Sequence, residues 1–393
     1  MKAIGVFLGV EPDAGGMFQY AQTVLEGLLP MHSNGIPVKV AYVGEAWKPL
    51  LDSFPFAKVE MGYGKFGLHF ASVVMATRLP GGLARLISQL VNPVVTQMRH
   101  MDCEIWIFPS QDNLSYQVPF PVIATVHDLM HRYESRFPEV SRGGRFGMRD
   151  HRFRNLVDRA LIVLVDSIVG REHVIESFGT DPTKVVPLPY VAPKYIIEPD
   201  PIDFDQRYLL PSKFIFYPAQ FWQHKNHHRL VSAAALVRRS CPDIRLVFTG
   251  AHRHGYESLR QHANSIGMND SIDYPGYVPN DYLAGFYRRA RALVMPTFFG
   301  PTNIPPLEAF SCGCPVAVSD IYGMPEQSRG AALLFNPLSV DNMAEIIERI
   351  WLDDELCADL RQRGIAHATD WNQFQFGLKL RCIIHDALQS FQL

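Results

Sequence analysis

Short runs rich in valine and isoleucine, each closed by Gly, Pro or Asp, recur along this chain and restrict what it can fold into. Lys2–Val10, Val38–Gly44, Glu104–Pro109, Val122–His127, Ala160–Val169 and Lys184–Pro189 read as strands, and so do Phe214–Ala219, Ile244–Gly250, Ala292–Pro296 and Pro315–Ser319. Helical spacing separates many of them: Phe18–Leu29, Leu83–Val95, and Ser167 to Phe178 with Gly179 as its stop. Strands alternating with helices predict parallel sheets covered by helices, an α/β architecture in which ligands gather at strand C-terminal ends. A chain of 393 residues exceeds one ordinary core, so two domains are expected. The Pro- and Asp-rich stretch PYVAPKYIIEPDPIDFDQRYLLPSK is the linker candidate, dividing the chain into 1–195 and 212–370. The tail Phe374–Leu388 is amphipathic, with Phe374, Leu378, Cys382 or Ile383, and Leu388 at helical spacing.

Composition excludes several classes. Hydrophobic residues at 47% and charged residues at 19% describe a globular chain, not a disordered one. The formal net charge of −2 gives no overall basic balance for nucleic acid. No run approaches the about 18 apolar residues of a membrane span, and the apolar start at Lys2–Val10 reads as a strand and not a signal peptide. The six cysteines, 103, 241, 312, 314, 357 and 382, form no CxxC pair and read as reduced thiols of a cytoplasmic protein. Cys312 and Cys314 read as small packing residues around the Gly313 turn. His224, His227 and His228 crowd together without a carboxylate partner nearby, so no metal is expected there.

The richest stretch for chemistry is Phe298–Asp320, FFGPTNIPPLEAFSCGCPVAVSD, which reads as loop, helix and strand. Pro305 and Pro306 suit a first helical turn, and Gly313 suits its stop. The loop therefore delivers Thr302, Asn303 and Ile304 onto a helix N-terminus, where free N–H groups and the helix dipole favour a phosphate. Glu308 lies within reach of that end and can accept hydrogen bonds from hydroxyls. A phosphate site beside a carboxylate suits a nucleotide or a nucleotide-sugar. Lys225 precedes a second helix, for which Asn226 is the expected cap, and a cation there would neutralise a diphosphate leaving group. Gly15 and Gly16 form a strand-to-helix turn that lets a phosphate or sugar approach the backbone, although a bare GG turn is more often structural. It is not the GxGxxG dinucleotide fingerprint. Thr249 and Gly250 end one strand, and Tyr274–Val278 ends another. TVHDLMH puts His127 and Asp128 at a strand end; a lone His is usually structural.

The segments VHDL, AQFWQHKNH and TNIPPLEAFSCG together resemble glycosyltransferase family 4. The resemblance covers most of the chain from about residue 120 and, weakly, the first thirty residues. It implies the GT-B fold: two Rossmann-like domains facing a central cleft, the C-terminal helix 371–393 crossing back to complete the first domain. It implies a retaining, metal-independent hexosyltransferase that needs no cofactor beyond its nucleotide-diphosphate sugar. Glu308 would hold the ribose hydroxyls, Lys225 with the N–H groups of Thr302–Ile304, Gly15 and Gly16 would bind the diphosphate, and the backbone at Tyr277 and Val278 would hold the base. His127 would sit by the sugar, with Asp128 and His131 as acceptor-side candidates. Two family positions depart: Gln220 stands where an Arg is usual, and Gly300 where the first Glu of the motif is usual.

By resemblance, the sugar is mannose or a deoxyhexose, and the acceptor is a glycan or lipid-linked glycan of a bacterial surface polysaccharide such as O-antigen. A GT-B nucleotide-sugar epimerase and a non-catalytic binding protein are the alternatives. The segment Arg132–Arg159, dense in arginine with Phe137, Phe146 and Phe153 interleaved, leaves two readings open. One is a solvated helix face. The other is a surface for anionic headgroups or a phosphate-bearing acceptor, which would make this a cytoplasmic protein peripheral to the inner face of a membrane.

Overall fold

The computed structural model describes residues 2–12, 15–62, 78–253 and 255–392. Asp13 and Ala14, inside the stretch that ends in the GG turn, lie outside the described residues. The chain divides into two compact units, Met1–Tyr190 with Gln373–Leu393, and Val191–Asn372.

In the first unit the described residues form a seven-stranded parallel sheet. Its strands are β1 (Ala3–Leu8), β2 (Val38–Tyr42), β3 (Ala57–Glu60), β4 (Cys103–Phe108), β5 (Val122–Thr125), β6 (Ile162–Val165) and β7 (Val185–Pro187). They stand in the order β3-β2-β1-β4-β5-β6-β7. β1 is buried at every position because both faces of a parallel sheet are covered, which is why it reads as one continuous apolar run. β3 escaped the sequence reading for the opposite reason. It is an edge strand, exposed throughout, and its AKVE carries the charges that protect such an edge.

The helix expected over Leu83–Val95 is two helices, Gly81–Val91 and Pro93–His100. Asn92 separates them, its side chain accepting the Val94 N–H at 3.0 Å ahead of Pro93 in the first turn. The Ser167 start and Gly179 stop are as read. The Ser167 hydroxyl accepts the Gly170 N–H at 2.9 Å, and Gly179 is left-handed with φ 64°.

The final helix, Gln373–Gln392, belongs to the first unit. It packs on the helix Gly16–Ser33 through a pair of glycines. Gly377 approaches so closely that a Cβ there would lie 3.1 Å from the Gly27 carbonyl oxygen, and the fully buried Phe376 ring covers Gly27.

In the second unit the described residues form a six-stranded parallel sheet ordered β10-β9-β8-β11-β12-β13. The strands are β8 (Ile215–Pro218), β9 (Leu246–Thr249), β10 (Ile272–Gly276), β11 (Ala292–Met295), β12 (Val316–Ser319) and β13 (Leu333–Phe335). The Pro- and Asp-rich stretch is folded onto this unit. Asp200 pairs with Arg288 and Arg289, Arg289 reaches Asp205, and the buried Phe204 ring lies against Gly285. Among the described residues no helix is long and apolar enough to cross a membrane.

Each sheet reverses its winding once. In the second unit the reversal falls between β8 and β11: β9 and β10 lie on one side, β12 and β13 on the other. A ligand of such a sheet binds outside the strand C-termini at that point.

Candidate functional site

The loops leaving β8 and β11 flank the reversal of the second sheet and are joined by the Phe298 N–H donating to the His224 carbonyl at 2.9 Å, with the loop after β9 packed on the β8 loop and the loop after β10 on the β9 loop. After β8 the chain runs through Gln220 to the short turn Gln223–Lys225 and the helix His227–Val237. Lys225 thus stands at a strand C-terminus and just before a helix. Asn226 occupies the cap position, but its side chain does not cap. It adopts a left-handed backbone (φ 62°) and donates to the carbonyls of Pro296, at 3.0 Å, and Pro337, at 2.9 Å. Burial decides this, because an enclosed amide is worth more tying two loops together than capping one helix.

The neighbouring histidines are used separately. His224 stacks on Phe299 at 3.8 Å between ring centroids, His227 packs between Tyr217 and Phe221, and His228 Nε2 meets Ser258 Oγ at 2.8 Å. Among the described residues no cluster of His, Cys, Asp and Glu could hold a metal ion.

On the β9 and β10 side, the Gly250 N–H donates to the Gly276 carbonyl at 2.8 Å, joining the two loop starts. Thr249 and Val278 are buried, whereas Tyr277 is 71% exposed and projects from the end of β10.

After β11 the loop bends through Gly300 at φ 87°, where a Cβ would lie 2.6 Å from the Thr302 carbonyl oxygen. A glutamate at this position would be strained, so the absence of the first motif Glu is built into the backbone. The loop then enters the helix Ile304–Ser311. Of the donors expected from Thr302 to Ile304, the Asn303 N–H is already taken. It donates to Gln327 Oε1 at 3.0 Å, and Gln327 Nε2 donates back to the Asn303 carbonyl at 2.7 Å. Pro305 and Pro306 carry no N–H. Asn303 is therefore a strut, and the phosphate-facing donor set is narrower than the helix start alone implies.

Glu308, on that helix and 4% exposed, is held from two sides. The Tyr287 hydroxyl donates to its Oε2 at 2.6 Å, and the Tyr195 hydroxyl donates to its Oε1. Burial pushes the carboxyl up from its ordinary pKa, and the two hydroxyls pull it partly back. Each carboxylate oxygen retains acceptor capacity for a further hydroxyl. Sequence reasoning missed both tyrosines. Tyr195 falls in the stretch read as a linker, and Tyr287 reads as an ordinary core position of the helix Asn280–Arg289.

The first unit has its own reversal, between β1 and β4. Gly15 and Gly16 start the helix Gly16–Ser33 there, and Gly15 is at φ 60° with open space where a Cβ would point. His127 and Asp128 follow β5. His127 Nε2 sits 2.9 Å from the Pro109 carbonyl, so it must donate, and Nδ1 accepts from the Tyr190 hydroxyl at 2.8 Å. With both nitrogens engaged, and burial pushing its pKa down to about 4, His127 is a neutral, oriented ring and not a proton shuttle. Asp128 is ion-paired with Arg149 at 2.6 Å. His131 has a side chain 0% exposed, sealed against Phe146 and Phe153, and presents nothing to an acceptor.

The arginine-rich segment is largely satisfied within its unit. Arg132 pairs with Asp150, Arg136 with Glu134, Arg159 donates to the Phe120 carbonyl, and Arg154 lies over the Phe178 ring.

His127, His131 and the buried His173 all have pKa values pushed down to about 4, chiefly by burial. In the unfolded chain they titrate near about 6.5, so between about pH 6.5 and 4 the unfolded state binds more protons. Stability is complete above the unfolded value and is lost as pH falls through that window, by about 1.4 kcal/mol per pH unit for each fully titrating histidine. Urea midpoints measured from pH 7 down to pH 5 are expected to fall steeply. A flat profile would contradict the buried neutral rings.

Residues 202–367 match the family model of glycosyl transferases group 1. The match spans the second unit's sheet with Gln220, Lys225, Gly300 and Glu308. Among curated proteins, O-antigen chain mannosyltransferase B of Escherichia coli is 27% identical over 260 residues, 64% of this chain and 66% of that protein. Serotype-specific mannosyltransferase WbdA of the same species is 25% identical over 171 residues, 42% of this chain and 21% of that one. The chain thus spans at most about two thirds of the curated relatives it first matches, and much less of the second. Among solved structures, Anabaena Alr3699/HepE in complex with UDP and glucose superposes with a TM-score of 0.75 at 16% identity, covering 98% of this chain and 100% of that one. That likeness establishes the GT-B fold.

Proposed function

We propose that this chain is a retaining, metal-independent glycosyltransferase. It moves a hexose, mannose by the chemistry its relatives' names carry, from a nucleoside-diphosphate donor to a glycan or lipid-linked glycan in bacterial surface polysaccharide synthesis. The observation that carries this reading is the second sheet's reversal point. There β8 delivers Lys225 and β11 delivers a loop and helix bearing Glu308. Lys225 offsets charge on the leaving diphosphate, and Glu308 accepts the ribose hydroxyls with its remaining lone pairs.

No carboxylate stands at position 300 to form a glycosyl-enzyme. The bond from the anomeric carbon to the phosphate oxygen therefore breaks as the acceptor oxygen bonds the same carbon on the same face. The acceptor's proton passes to the leaving phosphate oxygen, and a nucleoside diphosphate departs. The protein contributes positioning and charge. Because the donor is a cytoplasmic metabolite class, the reaction belongs to the cytoplasm. Several arginines of Arg132–Arg159 are paired within their unit while Arg142, Arg145 and Arg154 are exposed, and a role at an anionic surface is not part of this proposal.

A thermal-shift panel of GDP, UDP, dTDP, ADP and CDP tests the reading. A ligand at 100 times its Kd adds about 2.7 kcal/mol to the folded state. One clear stabiliser is expected, with GDP first in line for a mannosyl donor. Silence across the whole panel would overturn the assignment.

A further inference from the structure

A diphosphate leaving group carries more charge than one lysine offsets, and Gln220, at the end of β8, is neutral. The structure brings another cation to the same place. The loop after β9 is laid along residues 219–222 by two glycines. A Cβ on Gly250 (φ 138°) would lie 2.6 Å from the Ala219 carbonyl oxygen, and one on Gly255 would lie 2.6 Å from the Phe221 carbonyl oxygen. The Gly255 N–H donates to that Phe221 carbonyl at 3.0 Å, closing the loop against its neighbour. Only glycine permits both approaches, so the two ends of the stretch that carries Arg253 are set by backbone packing.

Arg253 lies between them. Its Nε donates to Gln220 Oε1 at 3.3 Å, and its guanidinium lies 5.6 Å from the Trp222 ring centroid. Gln220 Oε1 also accepts the Trp222 indole N–H at 2.8 Å, so the amide is fixed before it receives the arginine. Among the described residues no carboxylate pairs with Arg253. Arg245, Arg288, Arg289 and Arg291 of the same unit each pair with an aspartate, whereas Arg229 and Arg238, like Arg253, meet neutral oxygen acceptors. An arginine oriented by a neutral amide and an aromatic face, at the point where a parallel sheet binds its ligand, is placed for an anion.

We infer that Arg253, which reaches Gln220 on the loop after β8, is the second cation of the diphosphate subsite and acts with Lys225 of that same loop. This rests on the nucleotide-sugar reading above. In this arrangement Gln220 is a positioning residue: it orients a charge that arrives from β9.

The test is calorimetric titration of the nucleoside diphosphate selected by the panel, at several salt concentrations. The proteins are wild type, Arg253→Gln, Lys225→Ala and the exchange variant Gln220→Arg/Arg253→Gln. Wild type is measured first; if it binds no nucleoside diphosphate, the function reading itself fails. Arg253→Gln is expected to weaken binding about 10-fold or more and to flatten the dependence of log Kd on log salt, which a purely structural role would leave unchanged. The exchange variant, which returns the charge to position 220, is expected to recover most of the affinity. The salt dependence of wild-type binding keeps the inference testable if Arg253→Gln folds poorly: two cations on the diphosphate predict a steeper slope of log Kd against log salt than one, and a slope matching a single cation overturns it. If Arg253→Gln binds like wild type while Lys225→Ala does not, the inference is overturned and the function reading stands. Failure of the exchange variant to recover either affinity or salt dependence, in a folded protein, likewise overturns it.

Discussion

Lys225→Ala and Glu308→Ala are each expected to lower sugar transfer by about 10²-fold or more, the range lost when a single electrostatic group is removed from a preorganised site. The two losses differ in kind. In the proposed reaction Lys225 would act on charge that grows as the diphosphate leaves, so its removal is expected to fall mainly on kcat. Glu308, on the same proposal, would bind hydroxyls present in both ground and transition states, so its removal is expected to raise KM as well. Alanine at 308 also strands the buried hydroxyls of Tyr195 and Tyr287, which costs folding stability. Glu308→Gln keeps an acceptor for them and separates the two effects. Steady-state kinetics on folded variants decide the matter, and near-normal turnover of both alanine variants would sink the site assignment.

Phe376→Ala removes about 3–5 kcal/mol from the first unit, the usual cost of emptying a fully buried aromatic position. The Phe376 ring fills the space over Gly27, and the facing glycines leave the surrounding backbone little room to collapse into the void. Since the chain has two compact units, unfolding need not be two-state. The expected result is a shift of one denaturation transition to lower urea while the other stays in place. An unmoved profile would mean that the final helix contributes nothing to the first unit.

How far the site was legible depended on the range of each interaction. Lys225 and Glu308 could be placed because each stands in a strand–loop–helix passage whose signals are local: apolar runs, paired prolines, a terminal glycine. Ser167 and Gly179 were readable as helix ends for the same reason. Asn226 misled because its local signal was correct in position and wrong in use; burial recruited its amide to Pro296 and Pro337. His131 sits beside a recognisable motif, yet packing against Phe146 and Phe153 removed it from any surface. β3 went unread because an exposed edge strand has no apolar face to display.

By itself the sequence determined the two parallel α/β units, most of their strands, and the passages that would carry charge and hydroxyl recognition. These follow from hydrophobic period, caps and turn residues, which act over a few neighbours. Only the tertiary structure decided which groups complete those passages. Tyr195 reaches Glu308 across 113 positions, Arg253 reaches Gln220 across 33, and Gln327 takes the Asn303 N–H across 24. Such pairs have no spacing that a chain can advertise, because the distance between them is set by the sheet order that folds the loops together.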